Sequence, residues 1–317
     1  YYIRMKIISL LPSSTEILCQ LGLEENIFGV THECDYPDSV ERIKSVGFTE
    51  LDFKNKSSLE IETIVSENKK KGKSSFIVDI EALEEIKPDF IVTQDLCEIC
   101  AVSKDLVTKS INSLSKKPKI ITLGPKNLKE VSESFIKLGN EFGLKEKGVK
   151  ISQDFDLQLN DIIFKTKDLI DKPRVFCMEW LDPIYSAGHW VPEMVDAAGG
   201  VSSLSKSGEE SSIISFKKLI EYAPNYLFIM PCGYSIDNSL NEINLLLENP
   251  ELNKIPAFRK GQVYIVNANS YFSRPSFRLI EGIKIIARTI NNENFIYEPK
   301  PDSIINLQNY IHFESFT

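Results

Sequence analysis

Short apolar runs rich in β-branched residues alternate along this chain with stretches whose apolar residues recur at helical spacing. That alternation predicts parallel α/β architecture. Lys6–Leu11 reads as a buried strand and Ser13–Leu21 as the helix after it, with Ser13 or Ser14 as N-cap and Glu16 in the first turn. Asn26–Val30 predicts a second strand, Ile80–Ile86 a short helix and Phe90–Gln94 the next strand. Val102–Leu114 reads as helix, Lys119–Leu123 as strand and Leu128–Phe142 as helix, completing one doubly wound half.

The pattern then changes. From Glu146 to about Asp171 there is no strand signal, and Phe155, Leu159, Ile162, Ile163 and Leu169 recur near helical spacing. One long helix is expected here, ending before Pro173, as a stiff spacer between two lobes. A second α/β set follows. Its strands are Arg174–Met178, Tyr226–Met230 and Val263–Val266, and its helices are Val191–Ala198, Ser215–Tyr222, Leu240–Leu247 and Arg278–Ile290. Gly199-Gly200 stops the first of these helices, and Ile304–Phe313 is expected as a terminal helix. The expected domains are an N-terminal lobe over 1–145, a connecting helix over 146–172 and a C-terminal lobe over 173–317.

The two halves resemble each other. In the first, a helix runs into Lys87-Pro88-Asp89-Phe90-Ile91-Val92. In the second, a helix runs into Ala223-Pro224-Asn225-Tyr226-Leu227-Phe228. In each, Pro stops the helix, Asp or Asn makes the turn and an aromatic opens a buried strand. Two similar lobes joined by one helix suggest a duplicated fold. Ligands of open α/β sheets sit beyond the carboxyl ends of the strands, so the ligand is expected in a cleft between the lobes.

The strand-end loops carry the candidate chemistry. They hold His32, Glu33 and Cys34, then Gln94, Asp95 and Cys97 in the first half. In the second they hold Glu179, Trp180, Tyr185, His189, Trp190, Cys232, Tyr271, Phe272 and Arg274. Both tryptophans and two of the three histidines lie there. Aromatic side chains with polar tips at a cleft rim suit a large flat or ring-like ligand, because the rings bury apolar area while the tips stay wet. Arg274 could pair with a ligand phosphate or carboxylate, or bridge loops. Glu193 is accounted for by capping the helix 191–198 and fixing its loop.

Composition narrows the classes. The chain has 317 residues, 42% hydrophobic and 26% charged, with 37 Lys+Arg against 45 Asp+Glu and a net charge of −8. This is the composition of a globular protein, not of a fibre or a disordered tail. An acidic chain with no basic block beyond Lys69-Lys70-Lys71 is a poor partner for nucleic acid, and no apolar run approaches membrane-spanning length. Six cysteines are too few for a disulfide scaffold. The apolar run Ile7–Leu11 stops at Pro12, short of a signal-peptide core, so the chain as written reads as cytoplasmic with reduced thiols, and as extracytoplasmic if a leader was removed.

The opening Ile7-Ile8-Ser9-Leu10-Leu11-Pro12-Ser13-Ser14-Thr15-Glu16 resembles that of the cobalamin and iron-siderophore binding proteins that feed ABC importers. The Asp35-Tyr36-Pro37 turn, the Lys87–Val92 element and the Ser273–Arg278 region carry the same likeness, over about residues 5–292. That helical-backbone class of periplasmic binding proteins has two α/β lobes joined by one long helix. Thr31–Pro37, Gln94–Ala101 and Trp180–Gly200 resemble a leaderless subgroup labelled cobalamin-binding. The resemblance implies a non-enzymatic binder of cobalamin, another corrinoid or a related metal chelate, with His32 or His189 as candidate axial ligand of the cobalt. An ABC permease is the implied protein partner. Transport members carry an exposed glutamate on each lobe for docking. Here the matching places hold Lys217 and the neighbourhood of Lys104-Asp105, which argues against docking to the same partner.

Two other readings use the same residues. One is an ABC-importer substrate-binding protein for siderophore or haem with its leader trimmed. The other is an enzyme acting through Cys232, Cys97 or His189 on a tetrapyrrole-like or metallated substrate. Cys97-x-x-Cys100 with His32, Cys34 and His189 offers soft-metal ligands, but no second close pair exists, so no resident metal is expected. No P-loop, Gly-x-Ser-x-Gly or Gly-x-Gly-x-x-Gly pattern is present.

Overall fold

The computed structural model describes residues 5–49, 56–71, 74–94, 102, 104–168 and 172–314. The chain forms two compact units. One comprises Tyr1–Lys56, Thr63–Pro125 and Val131–Ser152, and the other Ser57–Glu62, Lys126–Glu130 and Gln153–Thr317. Asp95, Cys97 and Cys100 lie outside the described residues.

The first unit is built on β1 (Ile7–Ser9), β2 (Ile27–Thr31), β3 (Ser45–Thr49), β4 (Phe76–Val78), β5 (Phe90–Gln94) and β6 (Lys119–Leu123), in the order β4-β3-β2-β1-β5-β6. All neighbours are parallel except β3 and β4. The strand order reverses between β1 and β5, where an open α/β sheet opens its binding crevice. The core on this sheet gathers Ile8, Leu10, Val46, Leu83, Ile91, Val102 and Val107. The helices along this part of the chain are α1 (Pro12–Gln20), α2 (Ser58–Lys70), α3 (Ile80–Ile86), α4 (Lys104–Ile111), α5 (Leu128–Glu141) and α6 (Lys145–Thr166), of which Ser58–Glu62, Leu128–Glu130 and Gln153–Thr166 belong to the second unit.

Helix α1 corrects the expected cap. It starts from an extended Leu11 with no side-chain cap, and Pro12 occupies its first turn. Proline's fixed φ and missing N–H suit that position. Ser13 and Ser14 are thereby drawn inside the helix, and Glu16 is buried beyond the first turn. Helix α6 ends at Thr166, short of the expected Asp171, where the Thr166 hydroxyl donates to Ala197 O at 2.8 Å.

The second unit carries β7 (Val175–Trp180), β8 (Tyr185–Ser186), β9 (Ser212–Ile213), β10 (Tyr226–Ile229), β11 (Val263–Val266) and β12 (Ile304–Asn306), in the order β12-β11-β10-β7-β8-β9. Only β7, β10 and β11 are mutually parallel; β8, β9 and β12 add antiparallel edges. Its helices are α7 (Val191–Ala197), α8 (Phe216–Tyr222), α9 (Ile236–Leu247), α10 (Pro256–Arg259), α11 (Ala268–Tyr271), α12 (Leu279–Asn291) and α13 (Leu307–Glu314). The expected helix over Ile304–Phe313 is therefore a strand followed by a helix. Pairing of Ile304 with Val266 and Ile305 with Ile265 satisfies the edge of β11, a non-local gain that outweighs helical spacing. The core gathers Phe176, Met178, Leu219, Leu227, Ile229, Ile255 and Ile265.

The internal likeness extends to backbone detail. Asp79 caps α3 by accepting from Ala82 N at 2.8 Å, and Ser215 caps α8 by accepting from Lys218 N at 3.3 Å. The helices end in left-handed residues just before proline, Lys87 at φ 54° and Ala223 at φ 50°. Asp89 then accepts from Lys6 N at 2.8 Å, and Asn225 from Arg174 N at 2.9 Å. The same turn thus locks β5 beside β1 and β10 beside β7.

Candidate functional site

In the first unit the turn from β1 into α1 is lined with hydroxyls. Ser9 and Ser14 share a hydrogen bond of 2.6 Å, and Thr15 Oγ1 donates to Ser9 Oγ at 2.8 Å. The Cys34 thiol lies 3.2 Å from Thr15 Oγ1 and 3.4 Å from Thr31 Oγ1, and is buried. This bonding gives Cys34 a structural place, tying the loop after β2 to the start of α1. His32 stands at the end of that strand. Its Nδ1 is 3.2 Å from Gly47 O and its Nε2 is 3.2 Å from Glu33 Oε1. The Glu33 carboxylate raises the His32 pKa above the usual imidazole value, against the opposing effect of partial burial. Gln94 is buried at the end of β5.

In the second unit β7 ends in Glu179 and Trp180. The Glu179 carboxyl receives the Ser211 hydroxyl and, at 3.4 Å, the Gly188 amide. Burial holds its pKa above the ordinary carboxylate range, and these two donors only partly oppose that. Gly188 fits because its backbone passes close to Glu209 O, which a Cβ would meet at 2.5 Å.

His189 follows with φ at 52°, held by its own N–H on Glu209 O at 2.7 Å and by Gly208 N on its carbonyl at 3.0 Å. Its Nε2 is buried with no hydrogen-bond partner. Burial lowers its pKa, with Glu210 opposing and Lys126 adding to the effect, which favours the neutral ring. Glu193, in the first turn of α7, accepts from Ser207 Oγ at 2.6 Å and from Leu128 N at 2.7 Å, and so fixes its loop.

Trp180 and Tyr185 are half-buried, with their polar tips engaged. Trp180 Nε1 donates to Ser58 O at 3.1 Å, and its ring meets Tyr234 edge-on with centroids 5.4 Å apart. Tyr185 donates to Glu62 Oε1 at 3.1 Å. Burial and the Glu62 charge push the Tyr185 phenol up to about 12. Cys232 is partly exposed on the loop after β10, its N–H on Glu179 O at 3.1 Å.

Trp190, Tyr271, Phe272 and Arg274 are only 5%, 6%, 2% and 6% exposed, inside the unit rather than on its rim. Trp190 Nε1 donates to Phe272 O at 2.8 Å, so the helix start at α7 is clamped to the turn after α11. Within this unit the structure therefore joins Glu179 to Gly188 and Cys232, and Trp190 to His189 and Phe272.

Three partners escaped the sequence reading. Ser58 and Glu62 sit on α2, where helical spacing is obscured by the lysine run that ends it. Tyr234 lies two residues past Cys232, on a strand-end loop that was in view. Among the described residues, no group of three His, Cys, Asp or Glu side chains is placed to hold a metal ion. No described helix is long and apolar enough to cross a membrane.

Two open α/β units, with titratable groups at the strand ends of each and polar-tipped aromatics at those of the second, define a solute-binding architecture. The family model described as periplasmic binding protein matches residues 7–269, and the chain belongs to that family. It is 22% identical over 297 residues to an uncharacterized ABC transporter substrate-binding lipoprotein, YvrC, of Bacillus subtilis (strain 168), covering 92% of this chain and 81% of that protein. It is 22% identical over 289 residues to the vitamin B12-binding protein of Vibrio cholerae serotype O1, covering 88% and 86%. The periplasmic heme-binding protein RhuT from Roseiflexus sp. RS-1 superposes with a TM-score of 0.69 at 17% identity, over 92% of this chain and 99% of that one. Each of these three is named as a binding protein.

Proposed function

We propose that this chain binds a corrinoid, a cobalamin-like metal chelate, through the strand-end loops of its units. The observation that carries the reading is the group of Trp180, Tyr185 and Tyr234 at the ends of β7, β8 and β10. There, aromatic faces for a flat macrocycle sit beside N–H and O–H donors for its rim. The named ligand of the Vibrio cholerae relative supports it. Glu179 and His189 add polar groups within the second unit; His32, Glu33 and Gln94 stay candidates at the strand ends of the first, and Asp95 and Cys97, outside the described residues, stay candidates from the sequence. His32 and His189 are the candidates for an axial bond to cobalt. Trp190, Tyr271, Phe272, Arg274, Cys34 and Cys232 shape these loops from behind.

Haem is the second reading, favoured by the name of the Roseiflexus neighbour. An ABC permease as the downstream partner is part of the proposal, since the Bacillus subtilis relative is named as an ABC transporter protein; with Lys217 and the Lys104-Asp105 neighbourhood at the docking places, it would be a permease of different charge from the one that transport members' glutamates meet. Titration of the purified chain with cyanocobalamin and, separately, with hemin tests both. We expect saturable change in the visible band with quenching of tryptophan emission by cyanocobalamin at tens of micromolar or below. Response to hemin alone moves the assignment to haem. No response to either refutes the proposal.

A further inference from the structure

The polar tips of the proposed ligand-facing aromatics are already taken by the chain itself. Ser57–Glu62 is a self-capped helical turn. Glu60 Oε2 accepts from Ser57 N at 2.8 Å and from Ser57 Oγ at 3.0 Å, and Glu60 N returns a bond to Ser57 Oγ at 3.3 Å. Within the second unit, this turn is held by polar bonds. Its Ser58 carbonyl accepts from the Trp180 indole at 3.1 Å, and its Glu62 carboxylate accepts from Tyr185 at 3.1 Å. Its Ser58 N–H donates at 3.0 Å to Glu242, which also accepts from Tyr234 at 3.2 Å.

Two features make this seat weak. Leu59 is 49% exposed and Ile61 only partly buried, so the apolar side chains of the turn are not fully packed. The Ser58 hydroxyl is buried without a hydrogen-bond partner, a cost that offsets one of the bonds made. The turn also offers the aromatics a carbonyl and a carboxylate. Those are the acceptors that an amide- or carboxylate-bearing rim of a chelate would present.

We infer that Ser57–Glu62 is a displaceable strap, tied through Ser58 N–H to the Glu242 carboxylate that Tyr234 also uses, that holds Trp180 and Tyr185 by mimicking the acceptor-rich rim of the ligand, and that ligand competes with it. The inference rests on the proposed function for the identity of the competitor, and on the geometry alone for the strap. Hydrogen–deuterium exchange of the ligand-free chain tests the strap without any ligand. The amides of Ser58–Glu62 should exchange at least tenfold faster than those of β10. Glu242→Ala should speed them several-fold more while leaving β10 unchanged. Exchange at the β10 rate, or no effect of Glu242→Ala, would overturn it.

The competition is tested from the strap side. Glu62→Ala, which leaves every proposed ligand contact intact, should bind cyanocobalamin or hemin about fivefold more tightly than wild type, from the loss of one charge-assisted bond. Unchanged or weaker binding overturns the competition. If neither probe binds wild type or variant, the ligand assignment fails, while fast exchange of Ser58–Glu62 still supports the strap.

Discussion

Replacing Trp190 with phenylalanine separates a packing role from a ligand-facing one. The indole N–H donates to Phe272 O at 2.8 Å in a region where Trp190 is 5% and Phe272 2% exposed. Removing the donor leaves a buried carbonyl short of a partner, at a cost of about 1–2 kcal/mol. The smaller ring leaves a void on the order of 40 Å³, worth about 1 kcal/mol at the usual cavity cost. The variant should therefore lose about 2–3 kcal/mol, a fall of about 1 M in the urea midpoint for an m-value near 2–3 kcal/mol/M. Far-UV circular dichroism follows the unfolding, and titration with cyanocobalamin follows binding to the folded variant. Trp180→Phe is the contrast: its indole is half-buried and bonds Ser58 O, so stability should change by less than about 1 kcal/mol. A Trp190→Phe chain as stable as wild type but unable to bind would refute the packing argument and return Trp190 to the ligand face.

Three further outcomes follow from local chemistry. Because Glu33 raises the His32 pKa, the stability this pair supplies is complete below the ordinary imidazole value and is lost as pH rises through the raised one. An NMR titration of His32 should show its midpoint falling in Glu33→Gln. Burial raises the Glu179 carboxyl, so stability present below the ordinary carboxylate value is lost as pH climbs through the raised one. Glu179→Gln should flatten that part of the pH–stability curve, and an unchanged slope would count against a buried acid. Ala223→Gly relieves a left-handed alanine at φ 50° and should stabilise by about 0.5–1 kcal/mol, measured as a raised thermal midpoint.

What could be read from the chain follows from how local each signal is. β5 at Phe90–Gln94, β6 at Lys119–Leu123, β11 at Val263–Val266 and α3 at Ile80–Ile86 match their expected bounds. Each is a β-branched run or a helical stretch fenced by proline, glycine or a capping acid, and such punctuation acts within a few residues. β3, β4, β8 and β9 were not visible. They run two to five residues, and their existence depends on a distant edge that needs a partner. The same non-local pairing converted Ile304–Asn306 from expected helix to strand.

The strand-end loops were legible as the place where chemistry gathers, because topology alone puts them there. Which way each side chain faces was not, because that depends on what packs behind it. Trp180 and Trp190 stand ten residues apart, both beside prolines and polar residues, and the sequence gives no reason to treat them differently. The fold does. Helix α12 approaches so closely that a Cβ on Gly282 would meet Tyr271 O at 2.3 Å, and the turn it holds there gives Trp190 a carbonyl to bond inside the unit. Trp180 finds its carbonyl on Ser58, in a turn seated by polar bonds. Of two equivalent indoles, then, one is held by a packed interior and the other by a turn seated through polar bonds, and it is the second that the proposed function gives to the ligand.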